Sequence, residues 1–61
     1  MKKSEAEKFL KKMGARFSEQ NKKHEVWINP VTGAEARLPR HAAQEIATGT
    51  WQKILKQLGY K

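Results

Sequence analysis

The chain has 61 residues, no cysteine, and 13 Lys+Arg against 6 Asp+Glu, for a net charge of +7. That length allows one domain, residues 1–61, burying only about 60% of its unfolded surface, and the composition excludes a disulfide framework or a thiolate metal site. No apolar run approaches the ~20 residues of a membrane span and the N-terminus lacks an apolar signal core, so the expected location is the cytoplasm and the charge points to a polyanionic partner.

Ser4 to Met13 reads as a helix. Ser4 and Glu7 have capping-box spacing, and Ala6, Phe9, Leu10 and Met13 form an i, i+3, i+4, i+7 stripe toward a core. Glu7 and Lys11 are spaced for an i, i+4 pair. Gly14 supplies the left-handed stop. Ala15 to Gln20 alternates as a short strand with Ala15 and Phe17 on one face. Asn21-Lys22-Lys23 makes a polar turn, and His24 to Ile28 is a second strand, apolar on both faces through Val26, Trp27 and Ile28. If Trp27 faces the helices, His24, Val26 and Ile28 share the open face. The apolar patch beside the histidine then suits a protein partner or a dimer.

Asn29-Pro30-Val31-Thr32-Gly33 is a hairpin loop, with proline early and glycine late in the turn. Ala34 to Leu38 is the third strand, with Ala34, Ala36 and Leu38 inward, and Pro39 ends it. Arg40 to Ala47 is a connector. A second helix starts near Thr48 or Thr50, with either threonine able to cap, and buries Trp51, Ile54, Leu55 and Leu58 before Gly59 closes it. Lys53, Lys56 and Gln57 fall on its solvent side. The expected fold class is therefore α+β, a helix–three-stranded antiparallel sheet–helix domain with both helices on one sheet face. Double-stranded-RNA-binding domains have this architecture.

The residues support little catalytic chemistry outside RNA. Two histidines without suitably spaced carboxylates make no metal site, and neither a glycine-rich phosphate cradle nor a nucleophile elbow is present. No cofactor is expected. RNA cleavage asks for less, because the substrate's own 2′-hydroxyl is the nucleophile. Histidine is suited to the role of base, its ordinary pKa lying at about 6.5. His24 is the candidate base, with Lys22, Lys23, Arg37 and Arg40 for phosphate contact and charge stabilisation. His41 is either a second acid–base group or RNA contact, or an idle loop histidine. By spacing alone His24 too is either a base or a strand-edge polar residue.

The sequence resembles the HicA family of bacterial toxins over nearly its whole length. The similarity rests on the Ser4-Glu5 helix ending at Gly14, on His24 followed by Trp27 and Pro30, and on Leu38-Pro39-Arg40-His41. Its most specific part is Glu45-Ile46 with Gly49-Thr50 and Ile54-Leu55-Lys56-Gln57-Leu58-Gly59. The resemblance implies a double-stranded-RNA-binding-like fold acting as an mRNA interferase. It also implies His24 as catalytic residue and a HicB antitoxin as partner. Where the family has Gly-Ser or Gly-Thr ahead of the histidine, this chain has Lys22 and Lys23. That change alters how closely the RNA backbone approaches, weakens cleavage, or adds phosphate affinity. The alternative functions are a non-catalytic RNA-binding module and a protein that only docks a partner through Val26 and Ile28. Against ordinary duplex-RNA binding, Thr48, Gly49 and Thr50 stand where a lysine cluster would open the second helix.

Overall fold

Alternation along the central strand decides which side of the sheet is covered. The computed structural model describes residues 1–61, with α1 at Lys3–Lys12, β1 at Arg16–Gln20, β2 at His24–Ile28, β3 at Glu35–Pro39 and α2 at Thr48–Leu58. The sheet order is β1-β2-β3, antiparallel throughout. In register, Trp27 lies opposite Phe17 and Ala36, and Glu25 opposite Leu38. Trp27, Ala36 and Leu38 are buried in one cluster with Ala6, Leu10, Ile54 and Leu58 from the two helices. Both helices therefore cover the Trp27 face, and His24, Val26 and Ile28 belong to the other. The element order is the one expected from sequence, an α+β domain.

The helix ends repeat one device. Gly14 (φ 97°) and Gly59 (φ 84°) follow the last turns, and the next residues donate backward, Ala15 N to Leu10 O and Tyr60 N to Leu55 O, both at 2.9 Å. This is the glycine-terminated helix stop, with two otherwise orphaned carbonyls satisfied. Asn29 reinforces the second: its buried Nδ2 donates to Leu58 O at 2.7 Å while its Oδ1 accepts from Val31 N at 3.0 Å. One side chain thus shapes the β2–β3 loop and caps α2.

Several local expectations give way to tertiary structure. Ser4 lies inside α1, which is entered from Lys2, and Glu5 accepts from Lys2 N at 3.2 Å. The free N–H groups of Lys3 and Ser4 donate instead to Gln44 O and Ala42 O at 2.9 and 3.1 Å, so the connector, rather than a side chain, caps the helix. Glu7 bonds Lys3, not Lys11. The buried line of α1 is Lys3, Ala6 and Leu10, whereas Phe9 and Met13 are 49% and 38% exposed. Three strands are too narrow to cover the whole stripe. Phe17 sits on the helix side but is 49% exposed, because β1 is an edge strand, and its ring meets Trp27 edge-on at 6.2 Å. Ala15 precedes β1, and β3 extends through Pro39, which pairs with His24. Neither Thr48 nor Thr50 caps α2, whose N-cap is Ala47. Within the connector Ile46 enters the core at 3% exposure, and its N–H donates to Met1 O at 2.7 Å. No helix is long and apolar enough to cross a membrane.

Candidate active site

The β1–β2 turn presents the histidine on a fixed backbone. Asn21 Oδ1 accepts from Lys23 N and His24 N at 3.0 and 2.8 Å, and Asn21 N donates to His24 O at 2.9 Å. This is the side-chain turn that asparagine favours. A second brace comes from the end of β3. Arg40 Nη1 donates to Lys22 O at 2.8 Å. With the Gln20 amide oriented to pair donor with acceptor, its oxygen accepts from Arg40 Nη2 and Nε at 2.7 and 3.0 Å. Lys22 and Lys23 are exposed on the turn so held.

Beneath it, on the helix face, lies a buried charge cluster. Lys3 Nζ contacts Glu25 Oε1 at 2.7 Å and also bonds Glu7 and, at 3.5 Å, Arg40 O. Glu25 further accepts from Trp27 Nε1 at 3.2 Å. Burial opposes the charge on Lys3, but hydrogen bonds to Glu25 and Glu7 outweigh it and raise the pKa above the ordinary 10.5. Burial likewise pushes Glu25 upward, and its bonds from Lys3 and Trp27 outweigh that and hold it below the ordinary 4.5. The residue after the histidine is therefore pinned to α1 as an ion pair.

On the open face, exposed His24 lines a groove of about 360 Å³ together with Arg37, Pro39, Gln44, Glu45 and Thr50. Arg37 is exposed and forms no ion pair. The structure thus brings His24 and Arg37 to one groove and sets Lys22 and Lys23 on the adjoining turn. Arg40 spends its guanidinium on bracing that turn, and His41 is exposed in the connector. Glu45 pairs with the Met1 amine at 2.9 Å, which lowers its pKa. No three His, Asp or Glu side chains gather where a metal ion could be held.

The apolar patch expected from Val26 and Ile28 is largely absent. Val26 is 8% exposed and Ile28 half-buried, because Glu19 and Arg37, its cross-strand neighbours, flank Val26 on the same face. Sequence reasoning missed Gln44 and Thr50 as groove residues, which are distant from His24 in the chain. The Asn-x-x-His spacing of Asn21 and His24 was the available signal for the turn.

A small, strongly basic α-β-β-β-α domain with an exposed histidine and an unpaired arginine in one groove is the kind of protein that handles RNA. Comparison narrows the class: residues 4–60 match the family described as HicA toxin of bacterial toxin–antitoxin. The chain belongs to the HicA toxin family, and such a toxin implies an antitoxin partner and an RNA substrate. It is 38% identical, over all 61 residues of both chains, to a protein of Photorhabdus laumondii subsp. laumondii named probable mRNA interferase HicA 2. No solved structure matches the chain.

Proposed function

We propose that this HicA-family toxin is an endoribonuclease that cleaves mRNA and so inhibits translation, with His24 as its general base. The observation that supports this most is an exposed imidazole lining the same groove as an unpaired guanidinium, on a turn braced from both sides. His24 takes the proton of a 2′-hydroxyl, and that oxygen attacks the neighbouring phosphorus. The P–O5′ bond breaks, leaving a 2′,3′-cyclic phosphate and, once the departing oxygen is protonated, a 5′-hydroxyl. Arg37 offsets the charge that accumulates on the phosphoryl oxygens, the place where a fixed cation contributes most.

Lys22 and Lys23, standing where the family carries small residues, add charge for the RNA backbone at the mouth of the groove. Arg40 and His41 extend this basic rim, and Arg40 in addition braces the turn. The partner is a HicB-like antitoxin that blocks the groove mouth, with Ile28 and the edge of Val26 offering apolar contact beside it. The pair acts in the bacterial cytoplasm.

Induced expression tests the reading in cells. Wild type is expected to arrest growth and deplete mRNA, and co-expression of the antitoxin to relieve both. A His24→Ala protein that accumulates folded and remains equally toxic contradicts it.

A further inference from the structure

Arg37 and Thr50 belong to two grooves at once. Beyond the His24 groove, a larger one of about 590 Å³ runs around the β3 edge between α2 and the open face of the sheet, and both residues line each of them. The two grooves therefore adjoin. The helix wall of the larger is Thr50, Lys53 and Gln57, spaced i, i+3, i+7 and so on one face of α2. Its sheet wall carries Glu19, Glu35 and the shared Arg37, and Val26, Ala36 and Ile54 lie buried at its floor.

We propose that this second groove is a binding site for single-stranded RNA flanking the cleaved bond, with the phosphates along α2 and the bases turned to the sheet. The inference rests on the endoribonuclease reading of His24. Apart from Arg37, which the His24 groove shares, the polarity of the two walls favours this orientation. Lys53 and Thr50 donate hydrogen bonds to phosphate oxygens, whereas the carboxylates of Glu19 and Glu35 accept only and repel a phosphate. The same carboxylates accept from the exocyclic amino groups of bases, as Glu does from cytosine N4. From Thr50 to Gln57 the helix rises about 10 Å, room for about three stacked nucleotides at ~3.4 Å each. The site consequently favours cytosine and adenine over uracil at the positions beside Glu19 and Glu35. Lys56, exposed on the same helix but not lining the groove, is an internal control of equal charge.

The test uses the folded full chain carrying His24→Ala, so that RNA persists, and fluorescence anisotropy of labelled oligoribonucleotides across a salt series. Lys53→Ala is expected to weaken binding severalfold and to flatten the log–log salt slope by about 0.7, the value for one lost single-strand phosphate contact. Lys56→Ala leaves the slope at its starting value. Glu35→Gln retains binding but reduces the preference for oligocytidylate over oligouridylate. Equal losses for the Lys53 and Lys56 variants, or no loss for either, overturn the proposal, as does a base preference unaffected in both Glu35→Gln and Glu19→Gln. Cleavage by wild type and His24→Ala is measured on the same oligonucleotides. Undiminished cleavage by His24→Ala sinks the catalytic reading alone, and the binding arms are then read on 2′-O-methyl oligonucleotides, which lack the attacking hydroxyl.

Discussion

Replacing Lys3 by methionine removes one charge from under the strand that carries His24 and leaves two carboxylates behind. The methionine keeps most of the apolar stem, so the loss is chiefly the ammonium and its bonds to Glu25, Glu7 and Arg40 O. The Lys3 and Glu25 side chains are only 3% and 12% exposed, against 28% for Glu7. Glu7 can turn to water, but Glu25 keeps only the Trp27 indole as donor. Breaking a buried pair from one side costs about 3–5 kcal/mol. The escape route for Glu7 places this case at about 3 kcal/mol. A 61-residue domain has a total stability of about 3–9 kcal/mol, so the variant loses about a third or more of it. Urea denaturation followed by circular dichroism reads the loss, and Lys3→Met with Glu25→Gln is expected to recover at least half of it. The pH dependence carries the same signature. Glu25, lowered when folded, contributes stability present above the ordinary carboxylate value of 4.5 and lost as pH falls through its folded value. Lys3, raised when folded, contributes stability present below 10.5 and lost as pH rises through its folded value. Wild type should therefore show a plateau between two falling limbs, and the double variant should lack this pair's contribution to both. A loss below about 1 kcal/mol, the worth of an exposed pair, or equal losses in the single and double variants, refutes the reasoning.

Arg40→Ala frees the β1–β2 turn while leaving the groove intact. RNA cleavage is expected to fall by about tenfold to a hundredfold, the scale of a sub-ångström to 1 Å misplacement, mainly in kcat. Arg40→Lys keeps the charge but cannot reproduce the three guanidinium contacts, so it should not restore the rate; full rescue by lysine would mean that Arg40 acts through charge alone. Asn29→Ala strips α2 of its buried C-terminal partner and the loop of its side-chain acceptor, with an expected loss of about 2 kcal/mol, read as a lowered urea midpoint. An unchanged midpoint would show that water replaces both bonds at no cost.

Local pattern was sufficient for the order of elements, because period, glycine stops and the Asn29–Gly33 loop all pointed to one answer. It also set His24 at the head of the central strand. What escaped it was long-range. A lysine is rarely buried unless paired, and nothing near Lys3 in sequence announces Glu25, 22 positions on. The core stripe of α1 is narrower than its spacing, since whether Phe9 and Met13 are covered depends on how many strands lie beneath them. Ile46 was hidden in a connector of small and polar residues, although it belongs to the core. The brace from Arg40 to Lys22 joins residues 18 apart and resembles a phosphate contact when read from composition. The groove walls, Gln44 from the connector, Thr50 from α2 and Arg37 from β3, exist only once the sheet and α2 are packed.

The central claim is that His24 performs the proton transfer, and one assay addresses it directly. Purified wild type and His24→Ala, shown by circular dichroism to be equally folded, are incubated with the same RNA, and the cleaved ends are identified. Wild type is expected to release 2′,3′-cyclic phosphate and 5′-hydroxyl ends, with the rate of His24→Ala lower by about a hundredfold or more, as loss of a general base implies. Cleavage by His24→Ala at the wild-type rate would contradict the account.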